Sequence, residues 1–362
     1  MNVDTKSLSR VLAQRMKRTL PDLISPCQIA YMKGRNIAEG NRLIDYITDF
    51  NEKRNGGFVV TIDFKKAFDT ISHSYLEEVL QAYGYPREFI DKVKTLYKDS
   101  FASVINNGFT TKRFQLGRGC RQGDPLSPYL FTLALDPLIR SIEDNDNIKG
   151  LKTPYRTIKA TAYADDLTIF VEDEESLQEA METLNAFGKI SGLGVNEDKT
   201  EILPLGNKNL APNYRPYCKN VIKVTGIHHG NAVGKPEADA RNAEAILSKA
   251  RGVIRQWKQR DLTLLGKVEV MKTQGLSQLL PLIQAQKPSE GLIKELKKEI
   301  YRFIWNGPDR IPRSTASLGL NEGGLNLPEL EDIMTGSALK WIKQASSSNA
   351  PWTDFMRFEC QK

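Results

Sequence analysis

Two stretches of this chain end in acids that a folded protein cannot leave as they stand. Phe58-Val-Val-Thr-Ile-Asp63 is rich in β-branched residues, follows Gly56-Gly57, and reads as a buried strand finishing on a carboxylate. Thr157–Tyr163 and Leu167–Val171 are two more strand-like runs, and Ala164-Asp165-Asp166 between them predicts a hairpin tipped with acids. A carboxylate at the end of a buried strand must be paired, protonated or bound to a metal. Two like charges about 4 Å apart repel by a few kcal/mol at an effective dielectric of about 20. A divalent cation removes that cost.

The pattern around these acids predicts an α+β chain. Leu8, Val11, Leu12, Met16 and Leu20 fall at helical spacing, and a second amphipathic helix is expected over residues 36–54. Ser74 with Glu77 reads as a capping box, Pro86 opens the next helix, and residues 101–116 alternate about Asn106-Asn107-Gly108 as a hairpin. Ser127-Pro128 starts a long apolar helix to about Ile142. An acidic-headed helix follows over Glu172–Ile190, then a short strand near Glu201–Leu205. From about residue 237 the pattern is wholly helical to Trp305, and a last helix is expected near 330–345. Mixed strands and helices followed by helices alone indicate an α+β body with a helical C-terminal domain.

Composition narrows the class. The 362 residues are 40% apolar and 26% charged, ordinary for a folded globular chain. No run approaches the roughly 18 apolar residues of a membrane span. The start, Met1-Asn-Val-Asp-Thr-Lys, has no apolar signal core, so an intracellular place, cytoplasm or nucleus, is expected. Four dispersed cysteines and three histidines offer no zinc spacing. Lys and Arg exceed Asp and Glu by 51 to 44, and the excess is uneven. Residues 249–313 hold fourteen basic against six acidic, and residues 1–42 eight against three. Two basic ends around a balanced middle suit a polyanion, although solvated helix faces look the same.

If Asp63 and Asp165 meet on adjacent strands, they make a seat for two Mg²⁺ ions about 3.5–4 Å apart, with Mn²⁺ as an alternative. One ion would lower the pKa of a primer 3′-hydroxyl, the other would neutralise a triphosphate and the leaving pyrophosphate. That is in-line nucleotidyl transfer. Each piece alone is ambiguous: Asp-Asp in a turn is commonly just solvated, and Asp63 could be a strand-end cap.

Three segments taken together are distinctive: Phe64-Lys-Lys-Ala-Phe68-Asp69, Gly119-Cys-Arg-Gln-Gly-Asp-Pro-Leu-Ser-Pro128 and Tyr163-Ala-Asp-Asp166. With them the chain resembles the reverse transcriptase domain of non-LTR (LINE-type) retrotransposons over nearly its whole length. Gly192-Leu-Gly-Val-Asn196 with Lys199-Thr200, Phe303-Ile-Trp-Asn306 and Gly323-Gly-Leu-Asn-Leu-Pro328 look like later motifs of that family. The resemblance implies a right-hand polymerase with fingers, an antiparallel-sheet palm and a helical thumb. Its expected divisions are fingers helices over 1–57, palm with interleaved fingers elements over 58–235, and thumb with C-terminal segment over 236–362. Asp63 and Asp165 would be the principal metal ligands, with Asp166 beside them as ligand or electrostatic support. Phe68 would be the aromatic gate that rejects a ribose 2′-hydroxyl, or plain core. Gln122 and Gly123 would line the nascent base pair and template, a glycine permitting close backbone approach. Arg121 either touches phosphate or braces the loop. Lys199 is either the general acid for pyrophosphate or an exposed lysine after a turn. Arg35 would be the family's fingers arginine, on template phosphate.

Departures from the family temper this. An Arg-Pro-Ile segment, which in the family precedes Asn-Val-Asp and grips the triphosphate, is not in this sequence, leaving Lys65 and Lys66 as the nearest basic substitutes. The primer-grip signature is reduced to Val224-Thr225-Gly226. These features suggest a 5′-truncated copy or fragment. Two readings therefore compete. One is an RNA-directed DNA polymerase that extends a DNA primer or nicked target DNA from dNTPs on an RNA template. The other is a catalytically weak remnant that binds RNA or RNA–DNA hybrid. An RNA-dependent RNA polymerase is disfavoured by Phe68.

Overall fold

The computed structural model describes residues 2–98, 100–206, 208 and 210–361. The chain packs as two units, one of residues 1–40, 51–152 and 156–219, the other of 41–50, 153–155 and 220–362.

In the first unit α1 (Val3–Leu23) starts at Asn2, whose side chain accepts from the Thr5 amide. Its buried stripe is Ser9, Leu12, Ala13, Met16 and Leu20; Leu8 and Val11, expected inside, are exposed at its edge. Helix α2 (Ile37–Glu52) opens on an Asn36–Glu39 capping box, and its residues 41–50 belong to the second unit. Strand β1 (Gly57–Ile62) is followed by a single turn, α3 (Ala67–Thr70), and by α4 (His73–Ala82). The cap of α4 is Ser72, which accepts from the Tyr75 amide, and not Ser74, whose hydroxyl pairs with that of Ser72 at 2.7 Å. The helix starts two residues earlier because Ser72 is the residue with extended backbone angles. Helix α5 (Arg87–Tyr97) begins behind Pro86.

A narrow ribbon comes next, in which β2 (Phe101–Ala102), β3 (Ile105–Asn106), β4 (Phe109–Thr110) and β5 (Phe114–Gln115) pair only with one another. Helix α6 (Ser127–Asp144) then crosses the interior, with Leu130, Phe131, Leu135, Leu138 and Ile139 fully buried. Burying each such side chain is worth about 1.5–3 kcal/mol. Asp136, in the same helix, is also fully buried, and its oxygens accept from the Ser25 amide (2.7 Å), the Tyr83 hydroxyl (2.6 Å) and Arg140 Nε (2.7 Å). A buried carboxylate is tolerable only with such a full set of donors.

Short strands β6 (Leu151–Lys152) and β7 (Thr157–Ile158) lead to β8 (Ala160–Tyr163) and β9 (Asp166–Val171). Helix α7 (Glu174–Ser191), capped by Asp173, ends at Gly192 with φ +83°, and β10 (Glu201–Leu205) completes the sheet. The order is β10-β1-β9-β8, every neighbour antiparallel. Ile62 faces Leu167 and Tyr163 faces Asp166 across these ladders. Beyond β1 the pairing continues: Lys65 donates to Gly194 O and Asn196 to Asp63 O through their backbone amides.

In the second unit β11 (Val221–Val224) and β12 (Ile227–Gly230) form a hairpin. Its turn, Thr225-Gly226, takes φ +44° and +89°, the left-handed pair that a two-residue hairpin demands. Threonine rarely adopts that conformation; its hydroxyl accepts from Asn41 Nδ2 at 2.7 Å. Helices α8 (Lys235–Lys258), α9 (Leu264–Val270), α10 (Leu280–Ala285), α11 (Glu290–Trp305), α12 (Arg313–Ser317) and α13 (Leu330–Ser347) follow. A final helix, α14 (Thr353–Cys360), lies beyond the last helix expected near 330–345; it is held by Phe355 packing on Tyr46 and Phe50. Among the described residues no helix is long and apolar enough to cross a membrane.

Candidate active site

The three acids converge. Antiparallel pairing of Ile62 with Leu167 puts Asp63, the next residue along, beside the β8–β9 turn that carries Asp165 and Asp166. Burial raises the Asp165 carboxyl above its usual range, and the Asp63 charge adds to this against an opposing hydrogen bond from its own amide. Asp166 is raised by burial first, then by the charges of Asp165 and Asp63. Mutual repulsion of this kind is what a cation would relieve.

Asp63 is held on its other side by Asn196, whose Nδ2 donates to Oδ2 at 2.9 Å while its amide donates to the Asp63 carbonyl at 2.7 Å. Lys199 Nζ stands 3.8 Å from the same Oδ2, beyond hydrogen-bond length, with its side chain 69% exposed. It is a loose partner and does not plug the gap. The tight turn itself requires Ala164 to take φ +55°. Gln28, fully buried, clamps it: Ala164 N donates to Gln28 Oε1 at 3.0 Å and Gln28 Nε2 donates to Ala164 O at 3.2 Å.

Among the described residues no group of three or more His, Cys, Asp and Glu side chains is arranged to hold a metal ion. The donor set is nonetheless of the right chemistry for Mg²⁺, which takes one or two carboxylates and fills its remaining positions with water and substrate phosphate. The residues present fit a divalent cation on that count.

The other expected residues divide. Phe68 is half-buried and stacked on Phe131, ring centroids 4.3 Å apart. The glycine-bearing loop is laced to its neighbourhood: Cys120 N donates to Phe68 O, Gly119 N to Ile71 O, and Gln122 Nε2 to Asp69 Oδ1 at 3.5 Å. Gly119 has φ +90°, and a Cβ there would lie 2.7 Å from the Asp69 carbonyl. Gly123 has φ +78° and open space around it. Lys65 and Lys66 are exposed. Arg121 braces its loop, donating to Leu96 O and Ser100 Oγ with its guanidinium over the Tyr97 ring. Arg35, expected at a template phosphate, donates Nη1 to the carbonyls of Ser25 and Gln28. The residue pattern alone assigns no role to Gln28 or Asn196. Asn196 lay inside a recognised motif, whereas nothing local marked Gln28.

Residues 1–229 match the family profile of reverse transcriptases (RNA-dependent DNA polymerases). An uncharacterised 149 kDa protein of transposon TX1 from Xenopus laevis is 27% identical over 90% of this chain and 25% of its own length. The Pol polyprotein of the type-2 retrotransposable element R2DM from Drosophila melanogaster is 32% identical over 55% of this chain and 18% of its own. The chain thus spans a quarter or less of these two relatives. Telomerase from Candida albicans, solved with a fragment of telomeric RNA, superposes on 83% of this chain and 54% of its own with a TM-score of 0.50 at 13% identity. The fold is that of a right-hand polymerase, a class that works with divalent metal ions. With its acids gathered at the ends of the two central strands of an antiparallel sheet, the chain belongs to the reverse transcriptase family, and its relatives include Pol proteins of non-LTR retrotransposons.

Proposed function

We propose that this chain is an RNA-directed DNA polymerase that extends a DNA 3′-hydroxyl, on a primer or nicked target, from dNTPs on an RNA template. The observation that carries the reading is the meeting of Asp63 with the Asp165-Asp166 turn. Asp63 and Asp165 would hold two Mg²⁺ ions, or Mn²⁺ in their place, with Asp166 beside them as ligand or electrostatic support. Those ions, when bound, acidify the 3′-hydroxyl and neutralise the triphosphate. The 3′-oxygen bonds to the α-phosphorus as the bond to the bridging oxygen breaks, and the hydroxyl proton passes to solvent.

The chain's own residues do the positioning. Asn196 fixes the Asp63 carboxylate and Gln28 fixes the turn below Asp165. Lys199, near Asp63 and solvated, donates a proton to the departing pyrophosphate. The Phe68 ring, backed by Phe131, lies under the incoming sugar. Gln122 and Gly123 face the nascent pair, and Lys65 and Lys66 are the cations nearest in sequence for the triphosphate. Residues 1–57 serve as fingers, 58–235 as palm with interleaved fingers elements, and 236–362 as thumb. The basic run 249–313 supplies phosphate contacts. Such work places the protein inside the cell, in cytoplasm or nucleus.

Primer extension on an RNA template tests this. Incorporation that needs Mg²⁺ or Mn²⁺ and falls at least about a hundredfold in Asp165→Asn supports the enzyme. Hybrid binding without any incorporation overturns it in favour of a binding remnant.

A further inference from the structure

The ribbon of residues 100–118 has no part in the chemistry above, yet its surface is unusual. Every residue from 103 to 118 is exposed, and the four short strands pair only with one another, β2 with β5 and β3 with β4. Asn107 and Gly108 take φ +49° and +83°, so the tip is a well-formed hairpin turn and not a loose loop. Phe109 is 82% exposed, Ile105 73% and Val104 53%. No Asp or Glu occurs between residues 100 and 123, while Lys112, Arg113 and Arg118 lie along the returning strand. Arg113 sits over the Phe101 ring at 5.5 Å.

We propose that this ribbon is a contact surface for the single-stranded template ahead of the active site, an inference that rests on the polymerase reading. Aromatic and apolar side chains interleaved with cations are how proteins hold an unpaired strand: rings stack on bases, and Lys and Arg meet phosphates. A duplex hides its base faces and offers a protruding Phe109 little. A second copy of the chain would set Lys112 and Arg113 against their own kind. The root of the ribbon fits the same partner. Arg118 is bridged to Ser72, Gly119 N donates to Ile71 O and Cys120 N to Phe68 O. A strand lying on the ribbon is thereby led towards α3, the helical turn that carries Phe68. An unpaired polynucleotide that a template-copying enzyme must hold is the template not yet copied.

The test uses the full chain and fluorescence anisotropy with two labelled probes, a single-stranded RNA 12-mer and a blunt RNA–DNA hybrid. Phe109→Ala combined with Ile105→Ala should weaken single-strand binding about tenfold or more, and hybrid binding far less. Lys112→Gln with Arg113→Gln should weaken it too, and should lower the slope of log K against log salt by about 1.4. Because these side chains are solvent-exposed, circular dichroism should show all variants folded. Wild-type affinity of Phe109→Ala/Ile105→Ala for the single strand overturns the proposal. So does sedimentation that finds a wild-type dimer dissolved by these changes with RNA affinity intact, for the ribbon is then a self-interface. If the wild type extends primed templates while the ribbon variants bind like it, only this inference fails. If the wild type neither binds nor extends, the polymerase reading fails with it.

Discussion

Gln28 and Ala164 are locked together by a two-way hydrogen bond: the Gln28 side-chain amide accepts from the Ala164 N–H and donates to the Ala164 carbonyl. Ala164 is a non-glycine residue at φ +55° immediately before Asp165, a conformation that persists only when its surroundings enforce it. Gln28 Oε1 also accepts from the Ala30 amide, and the Gln28 carbonyl takes Arg35 Nη1. The segment 25–35 is thus a brace behind the acidic turn.

Gln28→Met keeps the volume and removes the hydrogen bonds. It should orphan the buried amides of Ala30 and Ala164 and cost about 2–4 kcal/mol of stability. If the role is positioning, kcat for primer extension falls more than tenfold at a temperature where the variant is folded, and KM for dNTP is little changed. Equal kcat with lowered Tm would show Gln28 to be structural only.

Asn196→Ala removes one hydrogen bond to a charged carboxylate, worth about 1.5–3 kcal/mol, and should reduce extension about tenfold or more. Asn196→Asp adds a fourth acid against Asp63 and should be worse. A variant Asn196→Asp as active as the wild type would dismiss the orienting role.

Removing a repelled acid should favour the apo fold. In EDTA, Asp165→Asn should melt at or above the wild-type temperature although it cannot extend a primer, since burial and the Asp63 charge both work against the Asp165 carboxylate. Mg²⁺ should then raise the wild-type Tm and leave the variant's almost unmoved, as expected when a ligand binds only the native state. A lower Tm for the variant in EDTA contradicts the repulsion.

Phe68→Ala should raise rNTP use relative to dNTP in single-nucleotide incorporation. It also forfeits the stack on Phe131, worth about 0.5–1.5 kcal/mol beyond buried area, so Tm should drop. An unchanged sugar preference with the Tm drop would leave Phe68 as core.

Thiol labelling checks the packing independently. Burial, with the Glu143 charge behind it, pushes the Cys27 thiol far above its usual range, and burial pushes Cys120 up to about 12. At pH 8 iodoacetamide should modify exposed Cys360 first and half-buried Cys218 slowly, and reach Cys27 and Cys120 only after denaturation. Prompt native labelling of Cys120 would mean that the loop before Gln122 is not packed as described.

Much was legible in the residues themselves. β-branched runs, glycine stops and the periodicity of α1, α6 and α7 depend on neighbours within a few positions, so strands, helices and the acidic hairpin could be read along the chain. So could the family, because its motifs are contiguous words. The exceptions were settled locally as well: two serines compete to cap α4, and backbone angles choose Ser72.

Partnership across distance was not legible. That Asn196 would hold Asp63, that a glutamine 136 positions upstream of Ala164 would pin its backbone, and that Arg35 and Arg121 would donate to carbonyls depends on which segments the sheet and α6 bring together. Composition could name the acids and the kind of ion they suit. Only the antiparallel register of β1 against β9 put them side by side, since hydrogen-bond geometry between strands, unlike side-chain type, is a property of the folded pair.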